Sequence, residues 1–363
     1  MRDLDDLKRI KQLDQGHSYE SISGFVSQCQ DAWDEIKDFQ VPSNFRNFKN
    51  ILFCGMGGSA YGARIIKSLY GNELKIPVDL VSDYHLPVYV DSNTLIIAAS
   101  YSGNTEETIS CVNEALKIEA KIIGVTTGGE LRELLSRYVC PVWQIVPKHN
   151  PSQQPRLAQG YMQMGQIAIL NKLGILRIND AEVEKTIDYL TLREKLLKIE
   201  SKTNENPAKE LAVKFSEKEV NIIGGEFLEG ALHAVRNPFH ETAKHFANYY
   251  VLPELNHHLM EGLSYPSSNR QNLQFWLINS SLYKKDIKRR LELTREVIEK
   301  NSIEVIETNL SPTTPLTQVF ELIQLGNYLT FYLSMLHGHD PANIPSVNFF
   351  KEKLKEGENY EKQ

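Results

Sequence analysis

Two short runs concentrate glycines and hydroxyls of the kind that hold an anion: Gly55-Met56-Gly57-Gly58-Ser59-Ala60 and Ser100-Tyr101-Ser102-Gly103-Asn104-Thr105-Glu106-Glu107-Thr108. Each follows an apolar run, Ile51 to Cys54 and Leu95 to Ala99, and each precedes a stretch with helical spacing. At such a strand-to-helix turn, backbone N–H groups lack helical partners and the helix N-terminus favours negative charge. Gly57, Gly58 and Ser59 are the candidate anion ligands of the first run. In the second, Ser100, Ser102 and Thr105 add side-chain donors, an arrangement suited to a phosphate ester rather than a bare carboxylate. Plainer readings exist. The first run also spells G-x-G-x-x-A, with Asp79 or Asp83 about 20 residues on as a ribose ligand, or is simply a tight turn. Thr105 and Glu107 also read as ordinary helix capping.

The elements that must position these loops follow from the hydropathy pattern. Apolar runs at Ile51 to Cys54, Val78 to Val81, Thr94 to Ala99, Lys121 to Thr126 and Val142 to Val146 alternate with helical segments. That pattern implies a parallel sheet covered on both faces. A weaker second round places strands at Val220 to Gly224, Tyr249 to Leu252, Gln274 to Ile278 and Ile303 to Ile306, with a long apolar helix from Leu316 to Leu336. The expected organisation is an N-terminal helical segment of one or two amphipathic helices (1–47), a first α/β unit (48–155), a helical linker (156–204), a second α/β unit (205–340) and a C-terminal helix and tail (341–363). The tail after Lys351 is expected to be a short helix.

Composition narrows the partners. The 363 residues carry 40 Lys and Arg against 46 Asp and Glu, a net charge of -6, without the basic excess of a nucleic-acid binder. No stretch approaches the roughly 18–20 apolar residues of a membrane span. The acidic N-terminus does not resemble a secretion signal, so the expected location is cytoplasmic. Cys29, Cys54, Cys111 and Cys140 form no C-x-x-C pair, which points to buried thiols rather than a zinc ribbon or a disulfide scaffold. His240-Glu241-Thr242-Ala243-Lys244-His245 nearly spells a zinc protease motif, but the second His is one residue late, about 100° off the required helical face. His257-His258 and His337-Gly338-His339 have no metal-ligand spacing that joins them, and the latter pair reads as loop or solvent-facing. No metal and no cofactor are expected.

Taken together, G-M-G-G-S-A and the later S-Y-S-G-N-T-E-E-T resemble the sugar isomerase (SIS) domain, whose two strand-end loops bind a sugar phosphate. From about Asn50 to Lys353 the chain resembles the bifunctional phosphoglucose/phosphomannose isomerases, which carry two such domains in tandem. Pro155-Arg156-Leu157-Ala158-Gln159-Gly160-Tyr161 is similar to the family's P-R-x-A-x-G-Y, which implies that Arg156 stabilises the reaction intermediate. His240-Glu241-Thr242-Ala243-Lys244 is similar to N-E-N-A-K and Pro253-Glu254-Leu255-Asn256-His257 matches P-E-L-N-H, which implies Glu241 as base and His257 as the ring-opening group. His240 and Thr242 stand where the family has Asn, and the residues after His257 also depart from its pattern. Ile344, Val347, Phe350, Lys351 and Leu354 follow the family's last helix, which implies an active-site role for Lys351.

The resemblance implies a fold of two tandem doubly wound α/β domains and an aldose–ketose isomerase acting through an enediolate. It also implies a homodimer with its active site at the subunit interface. Two other readings compete. A non-catalytic sugar-phosphate sensor would carry a helix-turn-helix and a basic face, and residues 1–47 show no convincing one. A nicotinamide-dependent dehydrogenase leaves the hydroxyl loop and the Glu241 and His257 segments unexplained.

Overall fold

A computed structural model describes residues 3–361. Five parallel strands, β1 (Asn50–Cys54), β2 (Val78–Val81), β3 (Thr94–Ala99), β4 (Lys121–Thr126) and β5 (Val142–Gln144), form one sheet in the order β2-β1-β3-β4-β5. Four more, β6 (Glu219–Gly225), β7 (Ala247–Leu252), β8 (Leu273–Ser280) and β9 (Glu304–Leu310), form a second parallel sheet in the order β7-β6-β8-β9. The chain is therefore an α/β protein with two doubly wound sheets flanked by helices. Every residue of β3 is buried, as a strand covered by helices on both faces requires.

In each sheet the order reverses beside the first strand, between β1 and β3 and between β6 and β8. Loops leaving such a switch point diverge to opposite faces and open a crevice at the carboxyl ends of the strands. Both candidate loops lie there, one after β1 and one after β3.

Two helices buried along nearly their whole length hold the sheets together. Gln159–Lys172 lies against the helices Phe25–Asp38 and Tyr61–Tyr70. Pro315–His337 packs against Pro207–Phe215, Glu229–Glu241 and Asp180–Leu197. Pro315–His337 starts with a Thr314 cap on the Thr317 N–H and Pro315 in its first turn, and ends at Gly338 with φ 78°, a start and stop that sequence chemistry dictates. Its one buried carboxylate, Glu321, pairs with Arg193 and accepts from Tyr189. Among the described residues no helix is long and apolar enough to cross a membrane.

Details differ from the sequence expectations. The described residues before β1 form three α-helices, Leu7–Leu13, Ser18–Ser23 and Phe25–Asp38, and a 3-10 turn, Ser43–Arg46. Gly24 separates the second and third helices, and apolar periodicity alone does not register so short a break. The terminal helix runs from Pro345 to Glu361, with Lys351 inside it as the last-helix spacing implies, and it continues through the tail after Lys351 instead of giving way to a separate short helix. Cys29, Cys54 and Cys111 are buried free thiols, and Cys140 is half-buried.

Candidate functional site

The loop after β1 turns at Gly57, φ 49°, and enters a short 3-10 turn, Gly57–Ala60, that continues into the Tyr61–Tyr70 helix. The loop after β3 turns at Gly103, φ 74°, where a Cβ would fall 1.8 Å from the Gly128 carbonyl oxygen, so only glycine fits. The two loops are bonded to each other, the Tyr101 N–H donating to Ser59 Oγ at 3.1 Å. Ser59 keeps its own hydroxyl proton to donate. Ser100 Oγ and Thr105 Oγ1 lie 2.8 Å apart, and Ser100 Oγ also accepts from the Gly103 N–H. Ser102 is exposed and its Oγ accepts from the Asn104 N–H at 3.3 Å.

Thr105 does sit at the cap position of the Glu106–Lys117 helix, but its side chain makes no capping bond. It faces Ser100 instead, which corrects the capping reading and leaves first-turn N–H groups open to an anion. Of the two ribose ligands the dinucleotide alternative names, Asp79 is engaged by Lys67 at 3.0 Å and Tyr89 at 2.9 Å, and exposed Asp83 accepts from the Tyr84 N–H at 2.6 Å.

Arg156 joins this crevice. Gly58 packs against the backbone of Pro155 and Arg156, and the Arg156 side chain is 3% exposed, not a surface group. Its Nη1 donates to Gln154 Oε1 at 2.9 Å and its Nη2 to the carbonyls of Pro341 and Ala342 at 2.8 and 2.7 Å. Nε is buried without a partner, so the guanidinium has bonding capacity left for a ligand oxygen. Burial pulls its pKa below the ordinary arginine range, while Glu241, Tyr61 and Asp340 oppose the shift.

Glu241 is the last residue of the Glu229–Glu241 helix. That helix lies against Tyr61–Tyr70 at Gly230, where a Cβ would fall 2.5 Å from the Ile65 nitrogen. The close approach brings a carboxylate from the second sheet's first helix to the end of the first sheet's glycine loop. Burial raises the Glu241 pKa, and the cations Arg156, Lys351 and Lys244 pull it back. Tyr61 is fully buried, its pKa raised by burial and then by Glu241. Lys351 is exposed on the terminal helix, close enough for its charge to act on Glu241.

His257 stands apart. It ends the 3-10 turn Glu254–His257, is exposed, and its ring makes no hydrogen bond among the described residues. It is not among the groups that act on Glu241. Three other histidines of the quoted motifs have structural partners, while His339 is exposed as expected. His240 Nε2 bonds the Ala247 backbone at 2.8 Å and His245 Nε2 the Lys218 carbonyl at 2.6 Å. His337, expected in solvent or a loop, instead stacks on His245 and reaches the Ala243 and Ser216 carbonyls. Thr242, where the family has Asn, is buried with Oγ1 unpartnered.

Residues 204–354 match the family model of the bacterial phospho-glucose isomerase C-terminal SIS domain. A bifunctional phosphoglucose/phosphomannose isomerase from Caldicellulosiruptor bescii is 32% identical over 343 residues, 93% of this chain and 99% of the relative. The chain belongs to the bifunctional phosphoglucose/phosphomannose isomerase family. A relative of the same description from Thermoplasma acidophilum is 30% identical, covering 90% of this chain and 99% of that one. A hypothetical protein from Thermus thermophilus shares the fold, with a TM-score of 0.73 at 16% identity over 93% of this chain and 90% of that chain.

In this isomerase the two switch points differ. At the second switch point Glu226, φ 49°, follows β6 and its own carboxylate accepts the Lys284 N–H ahead of the Lys285–Lys300 helix. A carboxylate thus occupies the place where an anion would bind. A cavity of about 640 Å³ on that unit is lined by Arg295 and Glu307, which pair, and Arg289 and Glu292, which also pair. Of its other charged groups, Lys288 donates to the Ser281 carbonyl and Glu296 lines the wall.

Sequence reading did not single out Tyr61, Lys244 or the Asp340–Ala342 segment. The first two sit inside or beside quoted motifs, so position was the available signal. The third offers only backbone carbonyls, which no residue type announces.

Proposed function

We propose that the chain interconverts glucose 6-phosphate, and mannose 6-phosphate, with fructose 6-phosphate. What carries the reading is a half-buried carboxylate, Glu241, within electrostatic reach of a buried guanidinium, Arg156, beside the loops that carry Ser59, Ser100, Ser102 and Thr105.

The phosphate sits between the loops, held by Gly57, Gly58, Ser59, Ser100, Ser102 and Thr105. Holding it away from the reacting carbons fixes C1 and C2 against Glu241, so its binding energy serves orientation. Glu241 takes the proton from C2 of the aldose. The electron pair forms the C1–C2 double bond, and the former carbonyl oxygen becomes part of the enediolate. Returning the proton to C1, with O1 protonated and O2 left as carbonyl, yields the ketose. Arg156 supports the charge on the oxygens. A raised carboxylate pKa makes Glu241 a stronger base than a solvated one. Because one proton moves between neighbouring carbons, no net oxidation occurs and no redox cofactor is called for.

Ring opening falls to His257 of a second copy, with Lys351 assisting. The exposure of His257 and its absence from the groups that act on Glu241 support a homodimer that completes each site from both chains. A soluble, cytoplasmic setting fits this metabolism, and the working boundaries are 48–155 and 205–340 for the two SIS domains. A coupled assay for glucose 6-phosphate formed from fructose 6-phosphate tests the reading. Sugar-phosphate binding without turnover would favour the sensor.

A further inference from the structure

Three residues beyond Glu241, Lys244 holds a backbone φ of 53°, in the left-handed region that residues with a Cβ rarely occupy. Glycine or asparagine would make this turn out of the helix with less strain, so the side chain gives the reason to look further. Lys244 Nζ donates to the carbonyls of Asp340 at 2.9 Å, Pro341 at 3.1 Å and Thr242 at 3.2 Å. These three bonds use all of the ammonium protons. The Pro341 carbonyl also accepts from Arg156 Nη2. One carbonyl therefore joins a cation from the Glu241 segment to the guanidinium that faces Glu241.

We propose that Lys244 is a positioning residue for the isomerase reaction, bracing Arg156 and Glu241 against each other through the Asp340–Ala342 carbonyls. The inference rests on the isomerase reading of the same site. With every proton committed to a carbonyl, Lys244 acts on the substrate only through the groups it holds, and its charge favours the ionised form of Glu241.

The groups facing Lys244 are Arg156, Asp340 and Glu241. Burial and then Arg156 pull its pKa down to about 8, while Asp340 and Glu241 push the other way. Glu241 in turn faces Arg156, Lys351, Lys244 and Tyr61. As pH rises through the Lys244 value, the ammonium loses a proton and the brace loses one carbonyl bond and its charge.

The test measures kcat and KM for fructose 6-phosphate in the wild type, Lys244→Gln and Lys244→Arg from about pH 6 to about pH 10, with a thermal melt of each. Lys244→Gln is expected to lower kcat about tenfold or more while KM changes little, as a misplaced base would. Lys244→Arg keeps its charge, so it should recover most of kcat and move the alkaline fall of activity to higher pH. A folded Lys244→Gln enzyme with wild-type kcat overturns the proposal. So does an active Lys244→Arg enzyme whose alkaline limb stays put, which decides the matter even if the Gln variant does not fold. An inactive wild type would instead overturn the isomerase reading on which the proposal depends.

Discussion

Arg156 donates from Nη2 to the Ala342 carbonyl at 2.7 Å across 186 residues of chain, tying the turn after the first sheet to the segment ahead of the terminal helix. A lysine at 156 would keep the charge but not the fork that reaches Gln154 and two carbonyls at once. Arg156→Lys should lower kcat about 10²-fold, the scale of one lost transition-state donor. It should also cost about 1–3 kcal/mol of stability through lost charge-assisted bonds. Steady-state kinetics and a urea melt check both, and an unchanged kcat would remove Arg156 from the reaction.

Glu241→Gln removes the base while keeping its shape, so kcat should fall about 10²–10⁴-fold with sugar-phosphate binding retained. Stability should move the other way. Because burial raises the Glu241 pKa, its protonated form is the one the fold favours. That contribution is complete below the unfolded value and is lost as pH rises through the folded one. The neutral amide should therefore make the variant more stable than the wild type near pH 8, with the difference shrinking toward about pH 4. Paired melts across that range decide it, and a variant less stable at the alkaline end contradicts the assignment of the shift.

Ser100→Ala deletes the hydroxyl that bonds Thr105 Oγ1 and accepts the Gly103 N–H. The expected result is a KM raised about tenfold, a cost of about 1 kcal/mol in stability, and kcat nearly intact. Isothermal titration with inorganic phosphate should show the same weakening. Equal phosphate affinity in the two proteins would place the anion elsewhere.

His257 can be assigned to one chain or two by mixing inactive parents. Glu241→Gln and His257→Ala homodimers, unfolded and refolded together, form mixed dimers in which one of two sites has both wild-type groups if His257 crosses the interface. Random pairing then restores about a quarter of wild-type activity in a two-fold dimer. Should each site be built from one chain, mixing restores nothing.

The parallel strands were legible because each is a short apolar run closed by glycine or polar residues, and the glycine and hydroxyl loops because they end such runs. Extents were less legible in the second sheet. β8 reaches Ser280 and β9 reaches Leu310, past the apolar residues that mark them, since strands continue through Asn279, Thr308 and Asn309 by backbone pairing. Thr105 left two readings open for a related reason: a hydroxyl at a helix start suits either a cap or a neighbour such as Ser100, and only the fold selects.

Residue order alone established which chemical groups this chain owns and that the glycine and hydroxyl loops leave strand ends, because turn geometry and buried strands leave local signatures. Tertiary structure alone decided which of those groups meet. Glu241 faces Arg156 because Gly230 lets two helices approach closely, and the carbonyls that hold Arg156 and Lys244 come from residues 340–342. Backbone carbonyls are chemically alike at every position, and burial, which shifts these pKa values, belongs to no residue until the chain has folded.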